Sequence, residues 1–184
     1  MTSFVDVTEH TRATELALHR ALHDPLTGAV NRAGLGEILL RVAARAPRVG
    51  ATMAVAFCDL DDFKDVNDRY GHAAGDEVLR AVTERVTHAT RAEDVVARLG
   101  GDEFAVVLVS VDGLAGALRA AEKIREAVRA PVVVSTGTVT PTMSVGVALF
   151  TGVDALDDTM QRADEAMYLA KQGGRDRVAT LDPV

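Results

Sequence analysis

The chain has 184 residues, 48% hydrophobic but only 4% aromatic and without Trp, so its core has to be built from Ala, Val and Leu. That length and balance suit one globular domain and exclude both a disordered chain and two full domains. With 20 basic against 27 acidic residues the formal charge is -7, which opposes attachment to a nucleic-acid backbone and leaves any anionic ligand to local cations or metal.

Residues 6–22 place Val7, Ala13, Leu16, Ala17, Ala21 and Leu22 at helical intervals, which predicts an exposed amphipathic helix that can pack on the domain or on a second copy of itself. Residues 1–23 are therefore read as an N-terminal dimerisation or signalling segment, and 24–184 as the domain proper. The N-terminus lacks a basic patch followed by an apolar stretch, and no run of about 18 apolar residues occurs anywhere. One cysteine, Cys58, excludes an intrachain disulfide. A cytoplasmic chain without membrane contact is expected.

Asp24-Pro25 breaks the first helix, because a residue before proline avoids helical geometry. Asn31 is placed to cap a helix over 32–46, which Pro47 ends. Residues 52–58, TMAVAFC, read as a strand covered on both faces and ending at Asp59. A helix over 73–90 follows. VVARL and FAVVLV are then short strands separated by Gly100-Gly101-Asp102-Glu103, a hairpin. A helix over 113–129 stops at Pro131, a β-rich stretch covers 132–149, a helix runs from about 155 to 171, and a last strand lies near 177–181. This order predicts an α/β (α+β) sandwich with helices against a mixed, mostly antiparallel sheet.

Asp59, Asp61 and Asp62 sit where a buried strand emerges, and Asp102 and Glu103 at a hairpin tip. If the hairpin lies beside the strand, these carboxylates converge. Like charges raise one another's pKa, a conflict that a hard divalent cation such as Mg²⁺ or Mn²⁺ resolves. The glycines let backbone approach a phosphate. On pattern alone a solvated acidic rim is the competing reading. The histidines lack the paired spacing of a zinc site.

Five stretches in order, DPLTGAVNR, DLDDFKDVNDRYGHAAGDEVL, RLGGDEF, MSVGVA and ADEAMYLAKQGGRDR, resemble the GGDEF-domain diguanylate cyclases, from Asp24 to about Val178. The resemblance implies a nucleotidyl-cyclase, ferredoxin-like palm that condenses two GTP into cyclic di-GMP and two pyrophosphates as a homodimer, with no nucleic-acid polymer as partner. It implies that Asp59, Asp102 and the Leu60 carbonyl hold Mg²⁺ or Mn²⁺, that Glu103 is essential for turnover, and that Gly100 and Gly101 complete the catalytic turn. Asn67 and Asp76, in the loop after the first strand, would read guanine, and Lys64, Lys171 and Arg175 would meet the phosphates. Arg91 and Asp94 would form an inhibitory site for cyclic di-GMP, supplemented by Arg98.

Plainer readings stand beside these. Asn67 and Asp76 suit turns and helix caps, Lys171 and Arg175 suit the end of a helix, and Arg91 with Asp94 suits an exposed ion pair. A catalytically silent receptor for GTP or cyclic di-GMP, and a related cyclase or polymerase-like palm, are the rival functions. Ala29, Val30 and Asp176 depart from the residues common in the family.

Overall fold

The computed structural model describes residues 17–43, 52–150 and 156–181. Of the predicted helix over 6–22, residues 17–22 are described and are helical; the remainder lies outside the described residues. The helices that follow are α1 (Arg32–Ala43), α2 (Phe63–Tyr70), α3 (His72–Ala89), α4 (Gly113–Val128) and α5 (Leu156–Gln172). The strands are β1 (Thr52–Leu60), β2 (Val95–Gly100), β3 (Glu103–Val111), β4 (Val132–Val134), β5 (Gly137–Val139), β6 (Met143–Phe150) and β7 (Val178–Thr180).

A run of apolar residues with no polar face belongs in the middle of a sheet, and β1 is buried from Met53 to Leu60. The five-stranded order is β2-β3-β1-β6-β7. Its pairings are antiparallel except for β6 with β7, so the sheet is mixed and mostly antiparallel, as the element order predicts. The stretch over 132–149 divides in two: β4 and β5 form a separate ribbon, and only β6 enters the main sheet.

Side chains alternate across a strand, and the core divides accordingly. Ala54, Ala56, Cys58 and Leu60 pack with α3 and α4, whereas Met53, Val55 and Phe57 pack with Leu35 and Leu39 of α1 and with Ala163 and Met167 of α5. Cys58 is fully buried. Burial, with a lesser contribution from the Asp59 charge, pushes its thiol up to about 12. Helix α5 lies close to the sheet at Gly146, where an added Cβ would stand 2.0 Å from the Ala163 carbonyl oxygen and 2.1 Å from the Met167 nitrogen. The expected cap of α1 is present, with the Gly34 amide donating to Asn31 Oδ1 at 2.9 Å.

One element departs from expectation. Asn67 and Asp76 do not lie in a loop: Asn67 is on α2 and Asp76 is early in α3. Helix α2 has eight residues, of which only Phe63 is buried, so it has no apolar period long enough to read. Its limits are conformational instead, with Asp62 before it at φ 53° and Gly71 after it at φ 86°. Among the described residues no helix is long and apolar enough to cross a membrane.

Candidate active site

The acidic groups meet because β1 and β3 are neighbours in register. Asp59 is the cross-strand partner of Glu103, and the Leu60 amide donates to the Asp102 carbonyl at 3.2 Å. Asp59, Leu60, Asp102 and Glu103 therefore share one edge of the sheet. Asp59 is buried, and burial raises its pKa above the ordinary carboxylate value against a lowering hydrogen bond from Lys171, with the charges of Asp102 and Glu103 adding to the rise. Lys171, in the last turn of α5, sets its Nζ 2.8 Å from Asp59 Oδ1. Arg175 Nε lies 3.4 Å from Asp62 Oδ1, and Arg32 reaches Glu103 Oε2 at 3.5 Å.

The turn beneath this edge requires glycine. Gly100 has φ 143° and Gly101 φ 54°, and the ladder is irregular between Arg98 and Gly100, a bulge that re-aims the strand end. Arg98 fixes the turn, donating from Nε at 3.0 Å and Nη2 at 2.7 Å to the Gly101 carbonyl and from Nη1 at 2.9 Å to Asp24 Oδ1. Asp24 also accepts from the Thr27 amide at 2.9 Å and hydroxyl at 2.7 Å. Burial alone would raise the Asp24 pKa, but the hydrogen bonds from Thr27 and Arg98 outweigh it and hold the carboxyl below its ordinary value. The planar fork of Arg98, expected to supplement Arg91, bonds Asp24 and the Gly101 carbonyl and is largely buried there.

Asn67, on α2, lies against the start of α3: a Cβ on Gly75, the residue before Asp76, would meet Asn67 Oδ1 at 2.1 Å and the Phe63 ring at 3.2 Å. Lys64 is exposed on α2, and no described contact ties it to the acidic edge.

Arg91 and Asp94 do not form the ion pair that their spacing allows. Asp94 instead accepts from the Arg91 amide and the Val109 amide, each at 2.9 Å, leaving the Arg91 guanidinium without an ion pair among the described residues. Both residues line a cavity of about 260 Å³, together with Arg119 and Lys123 of α4. The sequence reading missed those two cations; their signal was a basic pair four residues apart on one helix face.

Among the described residues no three His, Cys, Asp or Glu side chains are grouped to hold a metal ion. The donors at the acidic edge are two carboxylates and a main-chain carbonyl, all hard oxygens. They fit an octahedral ion such as Mg²⁺, which is commonly bound by one or two carboxylates and completed by water and substrate phosphate rather than caged by protein.

A helix-flanked mixed sheet with an acidic central strand end, set beside a Gly-Gly-Asp-Glu hairpin, defines a domain of the nucleotidyl-cyclase class. Within that class the chain belongs to the diguanylate cyclase GGDEF domain family, whose profile matches residues 21–177. It is 41% identical to the diguanylate cyclase DgcP of Pseudomonas aeruginosa over 160 residues, covering 86% of this chain and 24% of that protein. It is 43% identical to the diguanylate cyclase TpbB of Pseudomonas aeruginosa over 159 residues, covering 85% of this chain and 37% of that one. The chain thus spans about a quarter to rather more than a third of these curated relatives. Among solved structures it resembles the coiled coil and GGDEF domain of DgcB from Caulobacter crescentus in complex with c-di-GMP, with TM-score 0.86 and 32% identity, covering 94% of this chain and 92% of that one.

Proposed function

We propose that this chain condenses two GTP into cyclic di-GMP and two pyrophosphates with the help of Mg²⁺ or Mn²⁺. The observation that carries the reading is the cross-strand pairing of Asp59 with Glu103, with Asp102 beside them and the Lys171 ammonium against Asp59. When bound, the ion supplies polarisation of the α-phosphate and a lowered pKa for the attacking 3′-hydroxyl.

The chain's own residues do the rest. The Asp59 and Asp102 carboxylates and the Leu60 carbonyl hold the cation, and Glu103 acts at the rim through metal or water. Gly100 and Gly101 leave room for phosphate against the main chain. Lys171 and Arg175, at the end of α5 and just beyond it, neutralise phosphate oxygens, with Lys64 contributing from α2. Asn67 and Asp76 read guanine: a carboxylate accepts from both N1-H and the 2-amino group, whereas adenine offers an acceptor at N1 and leaves the charge unpaired. One chain carries one such set, so a symmetric product calls for two chains about a two-fold axis. Residues 1–23, read from the sequence as a dimerisation or signalling segment, are the part of the chain proposed to govern that pairing, and the cytoplasm, where GTP is made, is the expected location.

With Mg²⁺, purified chain is expected to convert GTP but not ATP to the cyclic dinucleotide, with a rate rising more steeply than linearly at low protein concentration. A strictly linear dependence would overturn the two-chain arrangement. GTP binding without pyrophosphate release would favour the receptor reading.

The cavity beside Arg91 and Asp94 supports feedback inhibition by cyclic di-GMP, since an arginine fork matches guanine O6 and N7. Arg91→Ala is expected to raise the product concentration that halves the rate by about tenfold or more, which is the loss of about 1.4 kcal/mol of binding, while the initial rate stays close to that of the parent. An unmoved inhibition curve would remove Arg91 from the site.

A further inference from the structure

The structure surrounds Asp176 with partners. It follows Arg175 in the link between α5 and β7, and both residues adopt left-handed backbone, Arg175 at φ 62° and Asp176 at φ 45°. Side-chain-bearing residues rarely hold that conformation singly, and two in succession need outside support. The support comes from two directions. On the sheet side the Asp176 amide donates to Asp61 Oδ2 at 3.0 Å, and Asp61 is itself fixed by the hydroxyls of Thr142 at 2.8 Å and Ser144 at 2.6 Å. On the helix side the Asp176 carboxylate takes Arg125 Nη1 at 2.6 Å and Arg129 Nε at 3.2 Å. Arg125 is 8% exposed and is also gripped by Glu122.

A backbone turn clamped on both sides has one evident product, which is the direction taken by the side chain just before it. That side chain is Arg175, whose guanidinium lies at the acidic edge beside Asp62. We propose that Asp176, seated between Asp61 and the Arg125–Arg129 pair, is a positioning residue that presents Arg175 to the triphosphate. The inference rests on the reading of Arg175 as a phosphate-binding cation. Asp61 belongs to the same device: although it is one of three aspartates at the strand end, its oxygens are occupied by Thr142, Ser144 and the Asp176 amide, so it braces the link and does not join the metal donors.

The test uses 3′-deoxyguanosine triphosphate, which presents base and phosphates but has no attacking hydroxyl, alongside steady-state turnover of GTP. Asp176→Ala is expected to weaken binding of the analogue about tenfold and to raise KM for GTP by a similar factor, with kcat changed less than about threefold. Asp176→Asn keeps the main-chain donor and an acceptor for Arg125, so it should stay within about twofold of the parent. In a double-mutant cycle, adding Asp176→Ala to Arg175→Ala should cost less than about twofold more, because a positioning residue has nothing left to position. Losses that multiply in the double variant, or an asparagine variant as impaired as the alanine one, would overturn the inference. Parent-like binding by Arg175→Ala would sink the phosphate reading itself, a separate outcome. If Asp176→Ala loses its cooperative thermal transition, Arg125→Met with Asp176→Ala removes the stranded buried guanidinium and carries the same expectation.

Discussion

Asp102→Ala is expected to lower cyclic di-GMP formation at least about a thousandfold, equivalent to roughly 4 kcal/mol of lost transition-state stabilisation. The size follows from the chemistry assigned to the acidic edge. A metal-bound phosphoryl oxygen is stabilised by several kcal/mol, and in the proposed arrangement Asp102 is one of two carboxylates that hold that metal. The fold should not suffer. Asp102 is at a hairpin tip, its carboxylate enters no ion pair among the described residues, and the hydrogen bond it makes to Leu60 uses the main-chain oxygen that alanine retains. Product should be quantified by chromatography at saturating Mg²⁺, with the thermal midpoint measured in parallel. A variant that turns over within tenfold of the parent at an unchanged midpoint would show that the assigned edge is not the reacting one.

The second large effect is structural. Gly146→Ala should destabilise the domain by about 3 kcal/mol or more, at the severe end of what overpacking does, and lower Tm by roughly 10 °C for a chain of this size. The atoms that the new methyl group meets are the Ala163 oxygen and the Met167 nitrogen, both main chain of α5, and these cannot rotate away as a side-chain tip would. Helix α5 must therefore move off the sheet, carrying with it Ala163 and Met167 of the core and Lys171 of the site. Denaturant titration is the direct check. A stability lowered by less than about 0.5 kcal/mol would mean that α5 tolerates displacement and that its close seating is not what holds Lys171 at Asp59.

Much of this arrangement was legible in the residues. The apolar run before Asp59 and the Gly-Gly-Asp-Glu turn between two short apolar stretches were enough to predict a buried strand and a hairpin in one sheet; that the two are neighbours, the condition for their carboxylates to converge, is supplied by the β1–β3 pairing. What escaped was whatever depends on a partner distant in the chain. Asp59 and Asp61 look alike in sequence, yet one faces Lys171 while the other is occupied by Ser144, Thr142 and the Asp176 amide. Arg98 looked like a spare cation near Arg91, and only the packing of the Asp24 turn against β2 reveals where its fork goes. Helix α2 escaped because eight residues with one buried side chain carry no period. Lys64, Asn67, Asp76, Lys171 and Arg175 were reached through family resemblance, since single polar residues near helix ends have no pattern of their own.

The inertness of Cys58 has a practical side. It is the sole cysteine of the chain, fully enclosed between the sheet and its helices, with a thiol held at about 12, so at neutral pH almost none of it is the nucleophilic thiolate. A thiol engineered onto the surface, at the exposed Leu169 for instance, would react with a maleimide dye or spin label alone. Distances between two chains could then be followed as nucleotide is added, with the native sequence of the interior left untouched.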